Sequence, residues 1–486
     1  VPIGYAKLFH NKKLNWMYKT KDNDGWIKRS IPAPRGKVLG GSSSINGMIY
    51  IRGQKEDFDD WEKMGAKGWD YQSVLPSFRK LENFQGREDQ YHGNLGEMIV
   101  SNLNNNNPSC DAWIQAANEY GLPHNSDFNG ETTYGVGSYQ FSSSGRMRYS
   151  SSTAFLKPAI KRGNVTLKIN ALVSKVLFSG KKAIGVEWIE NNENKKAYSN
   201  KEIILSSGSL QSPQILQLSG IGPAELLKKL NIPIVFDSPE VGKNLQDHYQ
   251  VRGIVELNDN KGSVNNQSRN PLKIAEWGLR WLLFGSGPLT CGAGQVGGAA
   301  CSKYSQNGRP DLQFNVMPLS VDKPGEPLHK YPGFTASVWQ CHPKSRGSLN
   351  IKSTDPREQA EIRPEYLSEK LDKDVIVEGI KMIRDIFNQP SFKKLWDKEV
   401  LPGKEIKTDK EILDWARNNG GTVFHAVGTC RMGDDNKSVV NEKLQVRGVE
   451  NLRVIDASVM PQVTSANTNA PSLMIGEKGA SLILDS

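Results

Sequence analysis

The chain has 486 residues, a formal net charge of +10, 46 glycines and 25 prolines, and that length exceeds what one growing core sustains, so two domains or one large α/β domain with insertions is expected. No run of about 18 apolar residues reads as a membrane span, and lysines interleaved with acids, as in "EYLSEKLDKD", argue against a nucleic-acid surface. The five cysteines, Cys110, Cys291, Cys301, Cys341 and Cys430, are odd in number and lack C-x-x-C spacing, which argues against a disulfide framework and a zinc site and points to a reducing compartment.

The chain opens on "VPIGYAKLF", without the charged, apolar and small-residue regions of a signal peptide. "VLGGSSSING", Val38 to Gly47, removes side chains at two adjacent glycines and supplies three serine hydroxyls beside them. It fits neither G-x-x-x-x-G-K-[ST] nor G-x-G-x-x-G, so on its residues alone it reads equally as a ligand loop or a Gly/Ser turn. From Asp59 to Phe84 the apolar spacing predicts helix, turn, helix, punctuated by Gly68 and Trp69. Asn164 to Glu190 alternates apolar and polar residues in two runs around "SGKK", a β-hairpin or meander with one wet face.

Lys201 to Gly222 reads as a short buried strand, a Ser-Gly turn and a helix ending at Gly220, the half-unit of a nucleotide-binding sheet. Residues 250–440 carry strands near "PDLQFNVMPL" and "FTASVWQCH" and a helix at "DKDVIVEGIKMIRDIF", which reads as a second domain inserted into the first. Leu452 to Ile455 is a buried strand with Asp456 at its carboxyl end, where open α/β sheets bind ligands. A helix from about Ala470 follows, with Asn469 as its cap and Pro471 in its first turn.

Taken together, "RGKVLGGSSSING", "GSLQSPQILQLSGIG", "VGKNLQDH", "FHAVGTCRMG" and "LRVIDASVMP" resemble, in order, the glucose-methanol-choline (GMC) oxidoreductases. The resemblance implies an α/β, mixed α+β fold: a Rossmann-like FAD-binding domain (1–55, 150–250 and 440–486) with an inserted substrate-binding domain (56–149 and 251–439) built on an antiparallel sheet with helices. It also implies that Val38, Gly40, Gly41, Ser42, Asn46 and Gly47 lie along FAD, with Val173 by the adenine and Ser207 and Gly208 facing the nucleotide half. Asp456 and Ala457 fall by the pyrophosphate and ribityl chain, and Asn469, with Pro471 in the same turn, by the pyrimidine end of the flavin. Where some family members bond a histidine covalently to flavin this chain has Ile45, so the FAD is expected to be non-covalent. Family members open with a strand, G-x-G-x-x-G, a helix and a second strand ending in an acid. The sequence does not contain that unit, which gives the expectation of an N-terminally truncated FAD-binding domain, short by about 30 or more residues, that holds FAD weakly.

By the same resemblance His425 faces flavin N5 and Asn467 takes the second active-site position. Alcohol oxidation requires removal of the hydroxyl proton as well as hydride transfer, so a base is needed, and a neutral histidine with an amide donor beside the developing alkoxide supplies it. His248 and His342 read as structural or as supporting the site from behind the residues that line it. The function implied is oxidation of a primary alcohol, with electrons passed to a quinone or other acceptor. The alternatives are a choline dehydrogenase, an oxidase using O2, a flavin-containing lyase, or an inactive remnant. No metal is implied. A cytoplasmic location, peripheral to the inner membrane, is the expectation, and the oligomeric state is left open.

Overall fold

In a computed structural model, which describes residues 1–22 and 25–485, the first helices start where side chains satisfy open backbone N–H groups. Helix α1 (Lys55–Lys63) is opened by a capping box in which the Gln54 side chain and Asp57 serve each other's backbone. It therefore begins four residues before the apolar spacing suggests. Helix α2 (Tyr71–Leu81) is capped by Asp70, whose carboxylate accepts from Ser73 N at 3.2 Å. Phe58, Trp61, Val74, Phe78 and Leu81 are buried from these two helices. Helix α3 (Pro108–Tyr120) follows.

The alternating stretch forms three antiparallel strands, β1 (Leu172–Ser179), β2 (Lys182–Glu190) and β3 (Glu193–Tyr198), a meander rather than a hairpin. The strand β4 (Ile203–Leu205) leads through Gly208 into helix α4 (Ser212–Leu218). Its partner comes from the far end of the chain.

Strands β5 (Tyr249–Leu257), β6 (Val296–Ala300), β7 (Leu312–Met317), β8 (Gly333–Gln340), β9 (Trp396–Leu401) and β10 (Gly421–Thr422) make one antiparallel sheet, in the order β6, β7, β8, β5, β9, with β10 also on β5. Helix α5 (Pro271–Phe284) lies between β5 and β6 in the chain, and helix α6 (Lys370–Phe387) packs on one face of the sheet. Alternation sends Val251, Val255, Phe314, Ala336 and Val338 to the α6 face, with Ile380, Ile383 and Phe387 against them. A Cβ on Gly253 would come within 2.7 Å of Ile383, so the glycine permits that approach.

Strand β11 (Leu452–Val454) pairs in parallel with β4, Leu205 opposite Val454, and Ile455 N continues to Leu205 O at 2.8 Å. Both strands thus end level. Helix α7 (Asn469–Leu484) closes the chain, and here the expected cap is corrected: Thr468 is the N-cap and Asn469 the first helical residue. Ser472 N bonds to Thr468 O at 3.1 Å, so the first turn closes one residue earlier than the Asn-cap pattern proposes, and Pro471 still sits where its missing N–H is not needed.

Two buried clusters organise these elements. One joins α1, α2, β4, β11 and α7; the other joins α3, the antiparallel sheet and α6. The cores regroup the expected boundaries. Phe58, Trp61 and Phe78 pack with Val454 and Met474, and Val427, Cys430 and Met432 join the same cluster, because the apolar faces of α1 and α2 are turned to α7 and β11 rather than to the sheet.

Candidate active site

A cavity of about 1270 Å³ lies between the carboxyl ends of β4 and β11 and the antiparallel sheet. Gly40, Gly41, Ser42, Asn46 and Gly47 form one wall. That loop makes a single 3-10 turn over Gly41–Ser44, entered through Gly40 and Gly41 at φ 86° and 54°, angles that favour glycine. Ser43 and Ser44 bond back to Gly40 O and Leu39 O at 2.6 and 2.7 Å, and Arg148 donates to Ser43 O at 3.0 Å and to Asn46 O at 2.6 Å. The serines shape the loop. A Cβ built on Gly41 or on Gly208 (φ 82°) meets no protein atom within 4 Å, so both backbones leave room beside the cavity for a ligand.

Ser207, Gly208, Asp456 and Ala457 line the cavity at the strand ends. The Asp456 carboxylate is spent locally: it accepts from Gly208 N at 2.9 Å, Ser212 Oγ at 2.5 Å and Ser458 N at 2.8 Å. It fastens the β4 turn to the β11 turn, and what remains toward the cavity is backbone, which suits an anion better than a free carboxylate does.

His425, buried and lining the cavity, is held at both backbone and ring. Phe424 before it adopts φ 71°, strained for a bulky residue, and is held there by Phe424 N donating to Thr422 Oγ1 at 2.6 Å. Asp247 accepts from His425 N at 2.8 Å, His248 N at 2.9 Å and Tyr366 Oη at 2.6 Å. The ring is fixed by His248, Nδ1 to Nδ1 at 2.9 Å. His248 Nε2 lies 2.9 Å from Cys341 O, which only accepts, so Nε2 carries the proton and Nδ1 of neutral His248 is an acceptor. His425 Nδ1 must then be the donor, and its Nε2 carries the lone pair. Burial pushes His425 well below its ordinary value, helped by His248 and Arg35, and burial pushes His248 down to about 4. Both are neutral at pH 7.

Asn467 Nδ2 lies 3.1 Å from His425 Nε2 and its Oδ1 accepts from Gln313 Nε2 at 3.3 Å. The loop carrying it is anchored by Asp57, which accepts from Ser465 N and Oγ at 2.8 and 2.7 Å, Arg309 Nη2 at 2.7 Å and His342 Nε2 at 2.8 Å. Burial alone would raise Asp57, but His342, Arg309 and Ser465 hold it at about 2. The His425 and Asn467 nitrogens therefore form a base and a donor on one wall, with Trp339 flanking both histidine rings at centroid distances of 6.2 and 6.1 Å.

The cavity gathers His425, Asn467, Asn469 and the loop and strand-end residues named above. Val38, Val173 and Pro471 are not in its lining: Val38 is exposed, Val173 packs at the edge of the first core, and Pro471 is buried in α7. Sequence reasoning reads His248 and His342 as structural or as supporting the site from behind, and the contacts of His248 with His425 and of His342 with Asp57 give them the supporting place; it assigns nothing to Asp247 or Asp57. The adjacent Asp247 and His248 were visible in "VGKNLQDH", but their partners lie 177 and 178 residues away, a separation no local pattern reveals.

Family models for GMC oxidoreductase match residues 26–250 and 343–476. The chain is 40% identical to "Alcohol dehydrogenase [acceptor]" of Pseudomonas putida, over 100% of this chain and 88% of that protein. It is 38% identical to "Choline dehydrogenase, mitochondrial" of Mus musculus, over 99% and 81%. It superposes on an FAD-dependent oxidoreductase from Chaetomium thermophilum with a TM-score of 0.89 and 27% identity, over 97% and 90% of the two chains.

Proposed function

The chain belongs to the GMC oxidoreductase family, and from that premise we propose that it oxidises a primary alcohol to an aldehyde using non-covalent FAD, with a quinone or other acceptor taking the electrons onward. The observation that carries this reading is the His425–Asn467 pair, whose facing nitrogens lie 3.1 Å apart in a cavity that also contains the glycine loop. FAD, when bound, supplies the hydride acceptor. The residues fit such a group: Gly41 and Gly208 leave open space, the ends of β4 and β11 offer backbone, and Ile45 brings no nucleophile for a covalent link. An alcohol oxygen set against both nitrogens gives its proton to His425 Nε2 and accepts from Asn467 Nδ2, which holds the developing alkoxide.

Choline is the second substrate reading, and the charge of the cavity wall disfavours it. Arg35 and Arg252 line the cavity, while the lining carboxylates are Asp456, already bonded three ways, and Glu326. The two arginines repel a quaternary ammonium, which the rings of Tyr5, Phe424 and Trp339 in the same lining would otherwise suit. Anaerobic addition of primary alkanols and of choline to the flavin-loaded protein tests the choice: bleaching of the flavin band by the alkanols and not by choline is expected, and the reverse order would reassign the substrate.

A quinone acceptor is lipid-borne, and α5 supports a peripheral membrane position. Leu272, Leu279, Leu282 and Leu283 are 80%, 58%, 60% and 59% exposed, and at a helical step of about 100° they share the face opposite Trp277, the one buried residue of the helix and part of the cavity wall. No helix among the described residues is long and apolar enough to cross a membrane. Exposed Arg280 and Arg146 lie beside the stripe, while Lys273 is paired with Glu276 at 2.8 Å; the two cations that make no salt bridge among the described residues suit the surface of an anionic bilayer.

A further inference from the structure

Opposite α6, the antiparallel sheet turns a polar face to the cavity. Register puts Gln250, Trp339 and Gln313 in one row across β5, β8 and β7, and Arg252, Ser337 and Asn315 in the next. Four polar atoms of these rows, Trp339 Nε1, Gln313 Oε1, Ser337 Oγ and Asn315 Oδ1, are buried without a hydrogen-bond partner among the described residues. Trp339 and Asn315 line the cavity, while Gln313 and Ser337 lie behind it; native proteins leave few such atoms, and the two at the cavity mark a wall made to receive a polar ligand.

Arg252 is the charged member. Its guanidinium makes no hydrogen bond or salt bridge with any described residue, and the nearest titratable group acting on it is the Tyr5 phenol, which burial raises and keeps neutral. The neighbouring cavity arginine differs, since Arg35 donates to Pro34 O at 2.8 Å and feels Asp247. A half-buried cation in a cavity wall with no counter-charge is costly unless a ligand supplies one.

We propose that Arg252 is a specificity residue that binds a carboxylate on the alcohol substrate, so that the enzyme acts on hydroxy acids whose two ends are separated by several carbons. The hydroxyl end rests on the reading of His425 and Asn467 given above; the carboxylate end stands on Arg252 alone. Successive rows on one sheet face are about 7 Å apart, and His248, which touches His425, precedes Gln250 by two residues and Arg252 by four. An extended hydroxy acid spans that interval. Guanidinium and carboxylate match as two parallel N–H to O bonds, and Asn315, in the same row, also lines the cavity.

The probe is hexanoate, which has the carboxylate and no hydroxyl to oxidise, with hexanamide as its uncharged counterpart, titrated calorimetrically into the flavin-loaded protein. Hexanoate is expected to bind at least about tenfold more tightly than hexanamide, and equal affinity overturns the proposal. Arg252→Gln should remove that difference and Arg252→Lys restore part of it. With 6-hydroxyhexanoate and hexan-1-ol as substrates, Arg252→Gln should raise KM for the acid about tenfold more than for the alkanol, and an equal rise for both overturns it. Loss of flavin from Arg252→Gln would assign the guanidinium to the cofactor and likewise overturn it. If neither alcohol bleaches the flavin while hexanoate still binds through Arg252, the reaction assigned above is wrong and the anion site stands.

Discussion

A histidine presents its lone pair at either ring nitrogen, and at His425 the choice is made by a chain of acceptors that begins at Cys341 O and passes through His248. Replacing His248 with Phe keeps a ring in the space but removes the Nδ1 acceptor, freeing His425 to protonate Nε2. Flavin reduction should slow by about 10 to 10²-fold with flavin content unchanged, less than the 10²–10⁴ range for loss of a general base itself; a rate equal to wild type would remove His248 from the mechanism. The pH dependence has a defined sign. His425 works only when neutral, and its folded value lies well below 6.5, so the rate should be level from pH 6.5 to 8 and fall only at more acid pH. The folded state also takes up fewer protons than the unfolded chain, so stability is full above about pH 6.5 and is lost as pH falls toward the folded value of His248 at about 4. A melting temperature that rose on acidification through this window would contradict the buried, neutral pair. The sequence marked His425 and Asn467 through their motifs. It could not mark Arg252, because one polar residue in an alternating strand looks like any solvated one until the sheet's other face is known.

Among the elements, the glycine loop read on its residues equally as a ligand loop or a turn, and the single 3-10 turn held by its own serines was not legible. Gly41→Val tests whether the space beside it belongs to FAD. The substitution forces a β-branched residue to φ 54° and fills the open side, so flavin absorbance per protein after desalting should drop several-fold while the far-ultraviolet circular dichroism is kept. Undiminished flavin would return the loop to an ordinary turn. The final helix shows what local reading misses: Asn at the first apolar-periodic position resembles a cap, yet the bond from Ser472 N to Thr468 O starts the helix one residue earlier. Nothing in the sequence of helix α5 says which of its faces is buried, since that depends on Trp277 reaching the cavity. Leu279→Glu with Leu282→Glu charges the outer stripe and leaves that wall intact. Sedimentation with vesicles of phosphatidylcholine and phosphatidylglycerol should fall about tenfold relative to wild type; no binding by the wild type, or a dimer that the double substitution dissociates, would show that lipid is not what covers the stripe.

At the scale of the whole molecule, the site depends on segments far apart in the chain: the 38–47 loop, the turns after β4 and β11, the strand leaving "NLQDH", and the loop that Asp57 ties down through Ser465. While the antiparallel sheet came only from the family resemblance and the pairing of β4 with β11 was not foreseen, the alternating and helical patterns were sufficient to place individual strands and helices. They did not show that α1 and α2 share the core of the parallel pair, because an amphipathic helix advertises an apolar face without naming what it meets. The central claim is that this assembly makes His425 the base for alcohol oxidation. It is tested most directly by anaerobic addition of a primary alcohol to flavin-loaded wild type and His425→Ala, following the flavin band by stopped-flow absorbance. The account predicts rapid bleaching in the wild type and a rate lower by about 10² to 10⁴ in the variant at equal flavin load; bleaching within a few-fold of wild type in His425→Ala, or none in the wild type with any alcohol, would contradict it.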